Sequence, residues 1–389
     1  MNVVSELYFA GRLAWRQLVF ERAKLIAAIS GVLFACVLVF MQLGFKDSLY
    51  ASAASAPTNL DGDLFILHKQ TEAMWRPVAF ERSELMRVLG HAQVSQATPL
   101  YLSLGQFKNI QTHIKRTLMV YGFDPEAKLM TFKEVREQSQ ALLLKDTALF
   151  DEASRPEFGP MRRLIAEDNN ITEVNDYKIK FVGVFRLGVS FAADGNIVTS
   201  DLNFLRIFPN RSADKIDLGI VKLRAGADVK QVQAELSARL DEYLNVFTYQ
   251  QLVEYEKGYW SNTAPIGFIF GFGTVMGLVV GMVIVYQILF TDITNHLNEF
   301  ATLKAMGYRH GYFIKVVFAS AFYLAVMGYI PGYFLSVSLY QLAESQTSIP
   351  MPMTHDRAVI VFAFILSMCA TAGMLAVRRL KAANPADMF

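Results

Sequence analysis

Four stretches of this 389-residue chain, residues 25–45, 258–291, 316–343 and 358–377, contain no Asp, Glu, Lys, Arg or His. As helices rising ~1.5 Å per residue, each is long enough to cross a hydrocarbon core about 30 Å thick. They absorb the surplus of a composition that is 53% hydrophobic with mean hydropathy +0.28, where ordinary globular chains hold ~45–50% apolar residues. A cytosolic fold is excluded. Between the first two stretches lie residues 46–257, enough for one large or two small folded domains in water.

Cations near the spans set the expected orientation. Arg12, Arg16, Arg22 and Lys24 precede the first span; Lys304, Arg309 and Lys315 lie between the second and third; Arg378, Arg379 and Lys381 follow the fourth. The loop 344–357 carries only Arg357. Both ends and the connecting segment 292–315 are therefore expected in the cytoplasm, and the large domain 46–260 outside. Ala51-Ser52-Ala53 and Ala54-Ser55-Ala56 resemble signal-peptidase sites, but 24 residues ahead of a 21-residue apolar run fit a signal anchor better.

Residues 1–24 alternate Leu7, Trp15, Leu18 and Val19 with Arg12, Arg16 and Arg22. This pattern predicts an amphipathic helix that either lies along the cytoplasmic leaflet or extends the first span. The second run is too long for a bilayer, so its first part is expected to form a stalk before a span at 261–291, giving a rod from cytoplasm to exterior. Gly267 and Gly271, and likewise Gly273, Gly277 and Gly281, are spaced by four. Small residues at that spacing allow close helix packing, within the chain or across a second copy. In the third span, 316–343, Gly328, Pro331 and Gly332 predict a bend. The fourth span, 358–377, is followed by the tail 378–389.

In the external domain the pattern predicts strands at 63–68, 94–104, 117–122, 178–185, 196–199, 218–223 and 246–249, and a helix at 80–90. A second helix begins after Asp228, whose carboxylate can cap it, with Val229, Val232, Leu236 and Leu240 on one face. Residues 150–160 read as loop. The whole is an α+β core, at about 60–104 and 216–250, split by an inserted β-rich part at about 105–215.

No glycine is followed by lysine, so the chain has no phosphate-cradling P-loop. The six histidines are scattered without metal-ligand spacing, and Cys36 and Cys369 both fall inside apolar runs. A net charge of +2 without a Lys/Arg block gives no nucleic-acid footprint. Spans free of ionisable groups argue against a self-powered, ion-coupled carrier. A catalytic role and a bound metal are not expected. The segment 292–315 is where a cytoplasmic motor can grip: a helix from Thr294 to Met306, ended by Gly307, would present Phe300, Leu303 and Met306 with Glu299 and Lys304 at the rim. The alternative is a solvated connector.

The stretch Asn298-Glu299-Phe300-Ala301-Thr302-Leu303-Lys304-Ala305-Met306-Gly307 resembles the coupling element of FtsX/MacB-type permeases, and the order of one span, a large external domain and three spans is similar too. Met41-Gln42-Leu43-Gly44-Phe45, Asp61-Gly62-Asp63-Leu64, Thr98-Pro99-Leu100-Tyr101-Leu102, Gly122-Phe123-Asp124-Pro125 and Ser154-Arg155-Pro156-Glu157-Phe158-Gly159-Pro160 resemble the DevC-type permeases of cyanobacterial exporters. The resemblance implies a MacB/FtsX-like membrane α-helical fold with porter and sabre subdomains, and a homodimer in a cyanobacterial inner membrane with a periplasmic domain. It also implies a separate ATPase pair holding ATP and Mg, a periplasmic adaptor and a TolC-like outer-membrane duct. Glu299, Phe300, Leu303, Lys304, Met306 and Gly307 would couple to the ATPase. A regulator of periplasmic cell-wall hydrolases, like FtsX itself, a lipoprotein-release permease and a membrane-anchored enzyme are the alternatives.

Overall fold

The computed structural model describes residues 3–263, 265–296, 306 and 310–382, leaving aside the side chains of 3–7, 310, 313 and 379–382. Along the chain, α1 (Val3–Phe20) and α2 (Arg22–Thr58) lead into β1 (Leu64–His68), β2 (Phe80–Glu81), α3 (Ser83–Leu89), β3 (Val94–Lys108) and β4 (Lys115–Phe123). Short helices α4 (Lys133–Glu137) and α5 (Ser139–Leu142) precede β5 (Thr147–Asp151), and α6 (Met161–Ala166) precedes β6 (Ile171–Val174), β7 (Tyr177–Phe185) and β8 (Asn196–Ser200). Next come α7 (Asp201–Ile207), β9 (Lys215–Ile216), β10 (Leu218–Leu223), α8 (Val229–Arg239), β11 (Leu244–Thr248) and α9 (Tyr249–Gly258). The chain then forms α10 (Ile266–Asn295), α11 (His310–Thr347) and α12 (His355–Ala382). These elements make two units: residues 48–266 with 345–350, and the remainder.

The first unit is α+β. Nine strands form one sheet in the order β11-β1-β10-β3-β4-β8-β5-β7-β6. β3 joins its two halves: Val94–Leu100 pair with β10, whereas Tyr101–Lys108 pair with β4. The strand runs unbroken through 104–105, and Gly105 and Phe107 continue the buried positions past that point. Pro99 sits in the half that has β10 alone as its partner, where a missing N–H is tolerated. Both faces of the sheet are covered. In β1, Leu64 and Ile66 belong to one buried cluster, with Phe107, Phe150, Phe158, Phe181 and Leu236, while Phe65 and Leu67 belong to another with Leu102, Phe185 and Leu252. A strand buried on both sides needs a continuous apolar run, and Leu64-Phe65-Ile66-Leu67 supplies it.

Local chemistry fixes the helix starts. Asp228 accepts hydrogen bonds from the backbone N–H of Lys230 and Gln231, capping α8 as its sequence predicts. Thr248 and Gln251 form a reciprocal capping box on α9. The predicted helix at 80–90 begins later, because Phe80 and Glu81 pair with Ile216 and Lys215 as β2–β9. The predicted loop at 150–160 is instead the end of β5 followed by a 3-10 turn, Pro156–Phe158.

The second unit contains helices long and apolar enough to cross a membrane, one for each charge-free run, with the α2 and α10 to α12 helices supplying them. The expected unbroken rod is corrected: after α9 the backbone makes a π-helical turn, Tyr259–Thr263, and α10 starts just past Pro265, which lacks the N–H a continuous helix needs. Pro331 lies inside one continuous α11. A Cβ at its neighbours Gly328 or Gly332 would stand 2.5 Å from Val32 or 2.9 Å from Cys36 on α2. Val32, Ala35, Cys36, Val39, Leu289, Leu324, Ile365 and Cys369 form the buried centre of this unit.

Candidate functional site

α1 and the flanks of segment 297–309 come together. The buried face of α1 carries Ala10, Ala14 and Leu18. Ala10 and Ala14 pack on Tyr312 and Val316 at the start of α11, and Trp15 meets Tyr323 edge-on at 5.4 Å between ring centroids. At its other end, Glu21 interacts with Asn295 and His296, which close α10. The neighbouring Lys24, hydrogen-bonded to it, holds the Glu21 carboxyl below its usual range, with His296 adding to the effect. The two ends of the segment are thus held against α1 and the residue that follows it. Small residues at positions 10 and 14, spaced by four opposite the Arg12 and Arg16 face, were the signal in the sequence for this contact.

Of the six residues assigned to ATPase coupling, Met306 is described and is 64% exposed. Glu299, Phe300, Leu303, Lys304 and Gly307 lie outside the described residues.

The glycines of α10 divide by environment. A Cβ at Gly273, Gly277 or Gly281 would stand 2.5, 2.6 or 2.5 Å from Gln42, Leu38 or Ala35, all on α2, and the Gly281 Cβ would also meet Met368 Sδ at 2.6 Å. In return, a Cβ at Gly31 would approach Ile284 to 2.4 Å. This face is filled within the chain. Gly271 has nothing within 4 Å, and Gly267 is half-buried. Phe268, Phe272, Val275, Val279 and Val283 continue the exposed apolar face beside it. Gly281→Leu should therefore destabilise the helical unit by about 1–3 kcal/mol through overpacking, whereas Gly271→Leu should leave it unchanged. Heating both variants in detergent and following the loss of helical circular dichroism checks this; equal losses would contradict it.

Where α12 begins, a charged latch ties three helices. Arg357, 5% exposed, donates to Asp47 Oδ2 at 2.8 and 3.0 Å and to the Pro352 carbonyl at 3.0 Å. Its guanidinium lies 5.4 Å over the Tyr340 ring, and the Tyr340 hydroxyl donates to the Phe40 carbonyl. Asp47 is on α2 and Tyr340 on α11, so one cation joins them to α12. In the sequence Arg357 reads only as the single cation of a short loop, and its buried partnership carries no periodic signal.

Two buried carboxyls in the α+β unit, Asp151 and Asp217, are structural. Asp151, 0% exposed, accepts from the N–H of Ala153, Leu187 and Gly188 and from the Asn196 amide. Asp217 accepts both of its Arg211 contacts at 2.7 Å and the Leu102 N–H at 2.8 Å. Burial raises both carboxyls above their ordinary range, opposed by these donors. Among the described residues, no group of three or more His, Cys, Asp or Glu is placed to hold a metal ion.

Residues 271–385 match the family model described as the FtsX-like permease C-terminal region. No curated protein matches the chain. Solved structures similar to it include the periplasmic region of MacB from Actinobacillus actinomycetemcomitans, at 12% identity and TM-score 0.35, covering 50% of this chain and 92% of that one. Another is the extracellular domain of the noncanonic ABC-type transporter YknZ from Gram-positive bacteria, at 12% identity and TM-score 0.34, covering 48% of this chain and 99% of that one.

Proposed function

We propose that this chain, whose residues 271–385 match the FtsX-like permease C-terminal region, is the permease subunit of an ATP-driven export machine of the tripartite type. That match is the observation that carries the reading. In it, a homodimer of this chain binds a separate pair of cytoplasmic ATPase subunits, which hold the ATP and Mg, because these 389 residues contain no P-loop. The α+β unit is periplasmic, with a porter part at about 60–104 and 216–250 and a sabre part at about 105–215, and meets an adaptor that leads to a TolC-like duct. The chain itself performs no catalysis. It exports a lipid-like or other cargo.

Motion enters through the segment 292–315. The packing of α1 on Tyr312 and Val316, and of Glu21 beside Asn295 and His296, supports this reading, because a pull on the segment is resisted at both ends. Two packed contacts give transmission without any catalytic group. Gly271 and the apolar residues beside it are the face offered to the second copy.

Charge reversal at Glu299 or Lys304, or Leu303→Ala, should leave membrane insertion intact while abolishing stimulation of the ATPase and export of cargo. The paired measurement is ATP turnover and cargo release in proteoliposomes. Normal export by all three variants would remove the segment from the mechanism.

A further inference from the structure

We propose that the outward face of α1 binds the headgroup of an anionic phospholipid, with Arg12 and Arg16 as its phosphate ligands. One side of this 18-residue helix is used inside the chain. Ala10, Ala14, Gln17 and Leu18 are buried, and the two alanines pack on Tyr312 and Val316 of α11. Tyr8, Phe9, Arg12, Trp15, Arg16 and Phe20 are exposed. At about 100° per residue these six share a sector of about 140°, opposite the alanines. The two arginines stand four positions apart in the middle of the sector, which makes them neighbours on the helix surface. Tyr8 and Trp15 flank them on one side, Phe9 and Phe20 on the other.

Depth follows from the contact with α11. Trp15 meets Tyr323 at 5.4 Å between ring centroids, and a Cβ on Gly11 would stand 3.1 Å from the Tyr323 hydroxyl. Tyr323 comes eight positions after Lys315, the last charged residue before the apolar run, or ~12 Å along the helix. A helix seated there lies in the boundary zone of the bilayer, where amphipathic aromatic rings concentrate. Tyr8 at 67% and Phe20 at 85% exposure need such surroundings more than bulk water. The arginines need an anion in the same zone. Neither has a hydrogen bond or ion pair among the described residues. Glu21, the one carboxylate within residues 8–24, is taken by Lys24. Phosphodiester oxygens match the guanidinium fork and lie at this depth in every phospholipid. A zwitterionic lipid sets its own cation beside that phosphate, whereas an anionic one does not, so a pair of arginines selects the second. At ~1 kcal/mol for each basic residue beside an anionic headgroup, the pair corresponds to about thirtyfold preference. This binding belongs to the helical unit alone and holds whether or not the chain is the permease of an exporter.

The test uses the full chain in detergent, supplied with phosphatidylglycerol or phosphatidylcholine of identical acyl chains, and native mass spectrometry to count the lipids retained. The parent should hold phosphatidylglycerol about thirtyfold more tightly. Arg12→Gln or Arg16→Gln should each lose about fivefold, and the double variant nearly all of the preference. Its helical circular dichroism should melt as the parent's does, because both side chains are exposed and unpartnered. Arg12→Lys with Arg16→Lys keeps the charges and should keep most of the preference. Arg186→Gln removes an exposed arginine of the α+β unit and should keep all of it. Inorganic phosphate should not displace the lipid. If the double glutamine variant unfolds, the single variants decide. Undiminished preference in the glutamine variants, or displacement by inorganic phosphate, would overturn the proposal. Undiminished preference together with loss of a co-purifying ATPase would also overturn it and give the face to a protein partner.

Discussion

Replacing Glu256 by glutamine should remove about 5 kcal/mol of pH dependence from the stability of the α+β unit. Glu256 is 3% exposed and its carboxyl is pushed from 4.5 up to about 8, chiefly by burial, with the single Met74 N–H bond opposing. The unfolded chain ionises at the ordinary value, so between about 4.5 and 8 the folded state holds a proton that the unfolded state has lost. The stabilisation is complete below the unfolded value and disappears as pH rises through the folded one. At ~1.36 kcal/mol per pKa unit the window is worth on the order of 5 kcal/mol. Glutamine keeps the carbonyl that accepts from Met74 and cannot ionise. Unfolding midpoints of parent and variant at pH 5, 7 and 9 should diverge steadily, the variant being the more stable at pH 9. Asp151 and Asp217, also raised by burial, give the same slope to both proteins and cancel in the comparison. Parallel pH profiles would contradict the account.

Asp47→Ala should damage the helical unit more than removing both members of its pair. The variant leaves the Arg357 guanidinium buried, with the Pro352 carbonyl and the Tyr340 ring as its remaining partners. Breaking a buried ion pair from one side costs about 3–5 kcal/mol, and the half-exposure of Asp47 places this case at about 2–4 kcal/mol. The double variant Asp47→Ala with Arg357→Met takes away the stranded charge and keeps the bulk of the side chain. Part of the lost stability should return, which a thermal double-mutant cycle in detergent reads directly. Additive losses would mean that the latch contributes nothing beyond its separate parts.

Elements whose residues obey a single period were legible in the sequence. The α8 cap at Asp228, the run Leu218–Leu223 and the four apolar helices fall where pattern and capping chemistry put them. β5 was missed for an identifiable reason. All five residues of Thr147–Asp151 are buried, but the strand ends on a carboxylate and runs into Glu152, Ser154, Arg155 and Pro156. Tertiary structure supplies three of the four donors, Leu187, Gly188 and Asn196, that make a buried Asp151 tolerable. The latch was equally hidden, since Asp47 and Arg357 are 310 positions apart. The glycines of α10 gave one spacing signal with two meanings: Gly273, Gly277 and Gly281 face α2, whereas Gly271 faces open space. Spacing alone cannot separate those uses. Pro265 and Pro331 show the same ambiguity, one standing immediately before the start of a helix and the other lying inside one.

In the proposed function a separate ATPase moves this chain. The most direct test is to purify the tagged protein from its native membrane in mild detergent and determine the mass and identity of everything that co-elutes. The account predicts two copies of this chain with two P-loop ATPase subunits, and an adaptor in the gentler preparations. A solitary chain, or one accompanied only by a cell-wall hydrolase, would contradict it.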